Sequence, residues 1–140
     1  MSATVNTPII EARNLNLRLG TGANAVQALD HVNLTIARGQ RLGVVGESGS
    51  GKSTLLKVLD GLRRPDEGDV LFAGSSILAS HADLRPLRAQ VSMVFQDPRS
   101  CLDPRMRVGR IITEPLRSRM LRGTVDDVPD ALERVMAEVG

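Results

Sequence analysis

Short apolar runs separated by polar breaks occupy the first part of the chain. Leu15, Leu17 and Leu19 recur with the period of two that is typical of a half-buried strand. A second set of apolar residues, at positions 29, 32, 34 and 36, follows a glycine-rich turn at 20–24, and another turn falls at 38–40. The pattern predicts a small antiparallel β region over residues 9–39.

The next segment, residues 40–96, alternates between predicted strands and one helix. The apolar run Leu42–Val45 predicts a buried strand. Apolar residues at helical spacing within Leu55–Leu62 predict a helix that ends in the stretch Gly61–Pro65. Asp69–Phe72, after a Glu-Gly turn, and Ala89–Phe95, with alternating apolar residues, each predict a further strand.

The remainder, residues 97–140, begins as a loop and continues as helix. Asp97–Arg107 contains two Asp-Pro pairs, which are typical of turns. Apolar spacing over 108–116 predicts a helix with Pro115 near or past its end. A last helix is predicted over 129–139, where apolar residues recur at i, i+3, i+4 and i+7, with Gly140 as its stop.

Composition places the chain among ordinary soluble proteins. Its 140 residues suit one domain or part of one, and 41% are hydrophobic. A net charge of +2 and only two aromatic residues, Phe72 and Phe95, give no support for a nucleic-acid partner. Neither a secretory signal nor a run of roughly 18 apolar residues is visible, so a cytoplasmic location is expected. A single cysteine, Cys101, fits a reducing compartment and is interpreted as a partly buried small residue.

One motif carries recognisable chemistry. The pattern GxxxxGK[ST] occurs once, and a match by chance is expected in roughly one chain in 200 of this length. The residues assigned to phosphate binding are Gly46, Glu47, Ser48, Gly49, Ser50, Gly51, Lys52, Ser53 and Thr54. A predicted strand precedes the motif and a predicted helix follows it, which is the order that a P-loop requires.

Each residue type in this motif has a physical purpose. Glycines permit positive φ and close approach, so that successive backbone N–H groups form an anion-binding nest at a helix N-terminus. Lys52 supplies a charge to the β- and γ-phosphates, the Ser53 hydroxyl is placed to ligate Mg²⁺, and Thr54 can bond a phosphate oxygen. The competing interpretation is a flexible Gly/Ser loop with an ordinary lysine.

A family resemblance rests on two segments. GESGSGKSTLLKVLDGLRRPDEGDVLFAG and VSMVFQDPRSCLDPRMRVGRIITEPL resemble the ATP-binding subunits of ABC transporters, especially the oligopeptide/dipeptide/nickel importer branch. The resemblance runs from about Ile9 to the end of the chain. It implies an α/β P-loop NTPase fold with a truncated core, made of an antiparallel β region (9–39), part of the P-loop core (40–96), and the Q-loop with the start of a helical subdomain (97–140).

The resemblance also implies a site and partners. Gln96 corresponds to the Q-loop glutamine, which contacts Mg²⁺ and the attacking water, so Lys52 and Gln96 are the expected catalytic residues. Ser53 and Gln96 are the expected metal ligands, with ATP and Mg²⁺ as cofactors. The loop after Gln96 would face a membrane permease, and a second ATPase subunit would complete the site. The expected location is the cytoplasmic face of the inner or cell membrane, with no nucleic-acid partner.

Two departures from the family pattern stand out. The position where the family places an adenine-stacking aromatic residue corresponds to Leu19, which is equally interpretable as a strand core residue. No LSGGQ signature, Asp-Glu pair after a hydrophobic strand, or switch histidine occurs in the sequence, and His31 and His81 are interpreted as surface residues. The 140-residue chain alone is therefore expected to hydrolyse ATP poorly or not at all.

Other hypotheses stay open at this point. The chain could be a non-catalytic module that uses a bare P-loop to bind nucleotide, or a truncated gene product without function. A small-molecule kinase is a further alternative, but such enzymes commonly place the P-loop within the first 10–20 residues. The antiparallel region before the motif and the Phe-Gln-Asp-Pro element after it favour the ABC-type interpretation.

Overall fold

The computed structural model describes residues 8–117 and 128–139 in two compact units, Met1–Leu87 and Arg88–Gly140. The strands are β1 (Ile10–Leu19), β2 (Val26–Ile36), β3 (Glu67–Phe72) and β4 (Ser75–Ser76). The α-helices are α1 (Lys52–Leu59), α2 (Arg85–Gln90), α3 (Val108–Arg117) and α4 (Val128–Val139). Short 3₁₀ turns occupy Gly22–Asn24 and Arg99–Cys101.

The predicted antiparallel region is confirmed as a hairpin within a sheet. Among the described residues the strands form one four-stranded sheet in the order β2-β1-β3-β4, and every neighbouring pair is antiparallel. The β1–β2 hairpin runs from Ile10 opposite Ile36 to Leu19 opposite Val26, and the predicted turn at 20–24 closes it. The turn at 38–40 is also present, because the Gln40 backbone N–H donates to Ala37 O over 3.2 Å.

Asparagines support the irregular register of the hairpin. Asn14 and His31 have positive φ, 49° and 48°, where the pairing between β1 and β2 is shifted. The Asn33 side-chain oxygen accepts a bond from the Asn14 backbone N–H at 2.9 Å, and Asn16 Oδ1 accepts one from the His31 backbone N–H at 2.9 Å. Such side-chain bonds satisfy backbone groups that an interrupted ladder leaves unpaired.

Gly68 permits β3 to lie against this irregular part of β1. A Cβ at position 68 would lie 2.4 Å from Asn14 O and 2.5 Å from Arg13 O, and φ is +95°. We expect Gly68→Ala to lower the free energy of unfolding by about 3 kcal/mol, from backbone strain and forced separation of the strands. Urea unfolding followed by far-UV circular dichroism measures this change.

Gly39→Ala is the matched control for that substitution. Gly39 also has positive φ, +74°, but nothing lies within 4 Å of the position that an added methyl group would take. Gly39→Ala should therefore lower the free energy of unfolding only by the cost of backbone strain, about 1–2 kcal/mol. Equal losses for the two variants would contradict the steric argument.

The core of the first unit is formed by apolar residues of α1 and of the sheet. Leu55, Val58 and Leu59 are buried at i, i+3 and i+4 of α1, as the apolar spacing predicted. The buried apolar residues of the strands are Ala12, Leu15, Leu17, Leu29, Val70, Leu71 and Phe72, and α1 contacts the sheet at β2. The helix ends at Leu59, two residues before the predicted stop, and Gly61 follows with a φ of 66°.

The predicted strand at Leu42–Val45 is wrong. These residues have no regular secondary structure, and Val45 is 93% exposed. An apolar run becomes a buried strand only when a neighbouring strand accepts its hydrogen bonds, and none of β1–β4 pairs with it in the described part of the chain. The loop of the P-loop motif is therefore not preceded by a strand here.

The predicted strand at Ala89–Phe95 is also wrong. Helix α2 includes Ala89 and Gln90, while residues 91–95 are irregular and Val94 is 90% exposed. The alternating apolar residues again lack a partner strand among the described residues, so they do not form a strand.

The second unit contains the predicted loop and both predicted helices. In the loop, Asp97 and Asp103 accept bonds from the backbone N–H groups two residues later, at 3.2 and 2.9 Å, which is the turn chemistry predicted for Asp-Pro pairs. Pro115 lies inside α3 near its end. Helices α3 and α4 contact each other, since a Cβ on Gly109 would come within 3.3 Å of Leu132 Cδ2. The predicted stop at Gly140 lies outside the described residues.

An exposed ion pair sits at the start of α2. Hydrogen bonds from Arg85 lower the pKa of the Asp83 carboxyl from 3.8 to about 2. Because the folded pKa lies below the ordinary value, the stabilisation is present above about pH 3.8 and is lost as the pH falls through about 2. We expect Arg85→Gln to return the Asp83 pKa toward its ordinary value in a carboxyl NMR titration. An unchanged titration midpoint in the variant would contradict this assignment.

Candidate functional site

The loop between residues 46 and 51 turns sharply before α1. The Ser50 backbone N–H donates to Glu47 O at 3.2 Å, and Gly49 and Gly51 have φ values of 82° and 89°. Residues 41–50 are all exposed, and nothing lies within 4 Å of where a Cβ on Gly49 would stand. The loop thus has the positive-φ glycines and the open inner side that an anion-binding nest requires.

The Lys52 side chain folds back across this loop. Its ammonium group donates to Gly46 O at 2.8 Å, to Glu47 O at 2.6 Å and to Ser50 Oγ at 3.1 Å. These three acceptors match the three donors of an ammonium group and hold its charge against the loop backbone. The Lys52 charge therefore lies at the loop, and its contact with phosphate stays a prediction.

Helix α1 begins with unpaired donors that point toward the loop. Its first intrahelical bond, from Leu55 N–H to Gly51 O at 2.8 Å, leaves the N–H groups of Lys52, Ser53 and Thr54 ahead of it. The N-cap residue is Gly51, which has no side chain to cap them. Free N–H groups and the positive end of the helix dipole together favour an anion at this position.

The hydroxyl groups of Ser53 and Thr54 complete the loop. Ser53 is exposed and Thr54 half-buried. Within residues 8–117 and 128–139 neither hydroxyl takes part in a hydrogen bond. Both are available for a ligand, as the motif predicts for a metal-binding Ser53 and a phosphate-binding Thr54.

Contact with β2 fixes the position of the loop's last glycine. A Cβ on Gly51 would lie 2.3 Å from Ala28 O and 3.7 Å from Leu29 Cδ2. Only glycine permits this approach, so the end of the loop and the start of α1 lie directly against β2. Residue types alone do not reveal this neighbour, because the contacting atom is a backbone carbonyl.

Gln96 lies in the second unit, on the exposed segment that leads into the Asp97–Arg107 loop. It was predicted to end a strand, but residues 91–95 are irregular. Gly46–Thr54 belongs to the first unit, so the contribution of Gln96 to the same site stays a prediction. Arg99, Arg105 and Arg107 in the loop are exposed, as predicted for solvated charges. Cys101 is exposed rather than partly buried, because the loop around it is open to solvent.

The remaining candidates behave as surface residues. His31 is exposed, and its Nδ1 lies 2.6 Å from Asp30 Oδ1; His81 is exposed as well. The described residues hold no cluster of three or more His, Cys, Asp or Glu side chains suited to a metal ion. Nor does any helix among them have the length and apolarity to cross a membrane.

Sequence comparison decides the family. The profile of the ABC transporter family matches residues 29–140, which include the whole P-loop, Gln96 and the helices after it. The chain belongs to the ABC transporter family. Within this family it is an ATP-binding protein of the oligopeptide/dipeptide/nickel branch, as its two diagnostic segments predicted.

Three ABC relatives illustrate the similarity. The oligopeptide transport ATP-binding protein OppF of Salmonella typhimurium is 42% identical over 116 residues, 82% of this chain and 35% of the relative. The dipeptide transport protein DppD of Lactococcus lactis is 39% identical, over 94% of this chain and 40% of the relative. The nickel import protein NikE of Rhodospirillum rubrum is 42% identical, over 83% and 42%. The chain thus spans only 35–42% of the length of these relatives.

A solved ABC cassette shares the fold. The dimeric ATP-binding cassette in a post-hydrolysis state, bound to ADP and Pi, superposes with a TM-score of 0.75 at 25% identity. The match covers 91% of this chain and 54% of the cassette. The predicted fold class, a partial ABC ATPase domain with an antiparallel β region, is confirmed.

Proposed function

We propose that Gly46–Thr54 binds the phosphates of MgATP, and that the complete protein is the ATPase subunit of an ABC importer for peptides or a related solute. The observation that carries the proposal is the Lys52 ammonium, held within the loop by three acceptors at 2.6–3.1 Å. It stands beside the uncapped N–H groups of α1. The cation and the donors lie together at one exposed loop, which is the arrangement that a polyphosphate requires.

Each residue of the loop has a part in this proposal. The backbone N–H groups of Gly49 to Thr54 would surround the β-phosphate, while Lys52 would bridge the β- and γ-phosphates. Ser53 would hold Mg²⁺, which would supply charge neutralisation for the phosphates. In the complete protein, Lys52 and the loop N–H groups would stabilise charge developing on the γ-phosphate as water attacks in line.

Two partners follow from the family. The exposed loop after Gln96, with Arg99, Arg105 and Arg107, would face a permease subunit on the cytoplasmic side of the membrane. A second ATPase subunit would complete the catalytic site. The sequence itself carries no LSGGQ segment and no hydrophobic strand ending in Asp-Glu, so this chain alone is expected to hydrolyse ATP weakly or not at all.

Calorimetric titration of the 140-residue chain tests the binding proposal. MgATP and MgADP should bind saturably, whereas AMP should bind far more weakly because it has no β-phosphate for the loop to hold. Equal binding of AMP would place recognition on the nucleoside and overturn the proposal. No binding of any phosphate compound would instead favour a non-functional fragment.

A further inference from the structure

The ammonium group of Lys52 uses all of its hydrogen-bond donors within the P-loop. An ammonium group has three N–H donors and no acceptor. Those of Lys52 donate to Gly46 O at 2.8 Å, to Glu47 O at 2.6 Å and to Ser50 Oγ at 3.1 Å. A phosphate oxygen can therefore receive a full hydrogen bond from this group only if one of these three bonds is released.

The bond to Ser50 is the one that can be released most easily. It is the longest of the three, and hydrogen bonds weaken with distance. The Ser50 hydroxyl can also turn away by rotation about a single side-chain torsion. Gly46 O and Glu47 O belong to the backbone, so the release of either one would change the shape of the loop.

The space at Gly46 admits the Ser50 hydroxyl. A Cβ on Gly46 would lie 2.7 Å from Ser50 Oγ but 3.9 Å from Lys52 Cδ. Gly46 is not among the glycines with positive φ, so its backbone conformation does not require glycine. The first glycine of the motif thus leaves the space from which the hydroxyl reaches the ammonium group.

Resting on the proposed function, we infer that Ser50 is a positioning residue for Lys52, and that its hydroxyl competes with phosphate for the third ammonium donor. The two carbonyl oxygens keep the charge at the loop, and the bond to Ser50 is exchanged for a bond to a phosphate oxygen when MgATP binds. The lost bond makes the binding of MgATP weaker than it would otherwise be. The backbone N–H of Ser50 remains part of the nest, but its side chain is not a phosphate ligand.

Calorimetric titration of Ser50→Ala with MgATP tests the inference. Removal of the competing acceptor should tighten binding by about two- to tenfold, which is the net value of one hydrogen bond. The loop should keep its shape, because the bond from the Ser50 N–H to Glu47 O at 3.2 Å involves only the backbone. Ser50→Thr retains a hydroxyl and should restore the wild-type affinity. Unchanged or weaker binding by Ser50→Ala would overturn the inference.

Ser80→Ala is the matched control for the loss of a serine hydroxyl. Ser80 is exposed, as Ser50 is, and belongs to the same unit but lies outside the P-loop. Ser80→Ala should bind MgATP with the wild-type affinity. A gain in affinity equal to that of Ser50→Ala would show that the effect does not arise at Lys52.

The NMR signals of the lysine ε-methylene groups give a second readout, which needs no nucleotide. Lys52 and Lys57 are the only lysines of the chain, so Lys57→Ala assigns both signals. Before nucleotide is added, Ser50→Ala should shift the Lys52 signal and leave that of Lys57 in place. With saturating MgATP, the Lys52 signals of the wild type and of Ser50→Ala should coincide, because both ammonium groups then bond to phosphate. Identical Lys52 signals without nucleotide, or a difference that MgATP leaves unchanged, would overturn the inference.

Gly46→Ala tests the same contact from the other side. The added Cβ should displace the Ser50 hydroxyl and so shift the Lys52 signal in the absence of nucleotide. Combined with Ser50→Ala, it should cause little further shift, because the nearest atom of residue 50 is then Cβ at 3.4 Å. Equal shifts in the two backgrounds would show that Gly46 affects Lys52 by a route other than the hydroxyl.

These measurements separate the inference from the proposed function. Absence of MgATP binding by the wild-type protein would overturn the proposed function and, with it, the inferred competition. Saturable binding by the wild type without a gain in Ser50→Ala would overturn the inference alone.

Discussion

Replacing Lys52 with alanine should weaken the binding of MgATP by on the order of 10- to 100-fold, because hydrogen bonds to charged groups contribute about 1.5–3 kcal/mol. The ammonium group lies within 3.1 Å of three loop acceptors, so it is held at the loop before a ligand binds. Its removal takes away both the charge and the bonds that shape the loop. Calorimetric titration measures the loss directly.

Lys57→Ala provides a closely matched control, since Lys52 and Lys57 are the only lysines of the chain. Both lie on α1, and Lys57 is exposed on its last turn. The two variants change the net charge equally, so a general electrostatic effect would weaken MgATP binding to the same degree in both. A large loss confined to Lys52→Ala assigns the effect to the loop, whereas equal losses would contradict the assignment.

Gly51→Ala should have the largest effect of any single methyl added to the loop. The new Cβ would lie 2.3 Å from Ala28 O, and the residue would have to adopt a φ of +89°. Strain and displacement of α1 from β2 should together lower the free energy of unfolding by about 3 kcal/mol or more. Binding of MgATP should also be lost, because the N–H groups of α1 move with the helix.

Gly49→Ala separates the cost of backbone strain from the cost of a steric clash. Gly49 has a similar φ of +82°, but no atom lies within 4 Å of its Cβ position. This variant should lose only about 1–2 kcal/mol of stability, the ordinary cost of a left-handed residue. Urea unfolding followed by far-UV circular dichroism suits both variants, because the chain contains no tryptophan. Similar losses would show that the contact with Ala28 is relaxed in solution.

Local patterns in the sequence predicted much of the first unit correctly. The period-two leucines of β1, the glycine-rich turn and the helical spacing after the P-loop each depend on interactions close in sequence. Leu15 and Leu17 are buried at 0% and 3% exposure, and Leu55, Val58 and Leu59 of α1 are buried as well. The P-loop motif could be recognised from the sequence because the chemistry proposed for it depends on residue types at fixed spacing.

The errors arose where a segment depends on a distant partner. Val45 and Val94 are 93% and 90% exposed although their neighbours alternate or cluster as in strands. Periodicity reports which face of a strand would be apolar, but it does not report whether another strand is available to pair with it. Gln96 was likewise assigned from its motif, and its approach to the P-loop remains a prediction.

Contacts with backbone carbonyl oxygens are the other kind of interaction that sequence reasoning missed. Lys52 was expected to bind a phosphate, but in the structure its ammonium group also donates to Gly46 O and Glu47 O. Every residue carries a carbonyl, so residue identity does not indicate which carbonyl lies close enough to be used. The same reasoning applies to Ala28 O beneath Gly51.

The two glycines that define the P-loop motif, Gly46 and Gly51, differ in how a mutation at each could be rescued. A Cβ on Gly46 would meet the Ser50 side chain, with Oγ at 2.7 Å, so a smaller residue at position 50 can make room for it. The atom facing Gly51 belongs to the peptide backbone of β2, which no substitution at position 28 removes. A genetic screen for second-site suppressors should therefore recover revertants of Gly46→Ala at Ser50, but only true reversion for Gly51→Ala.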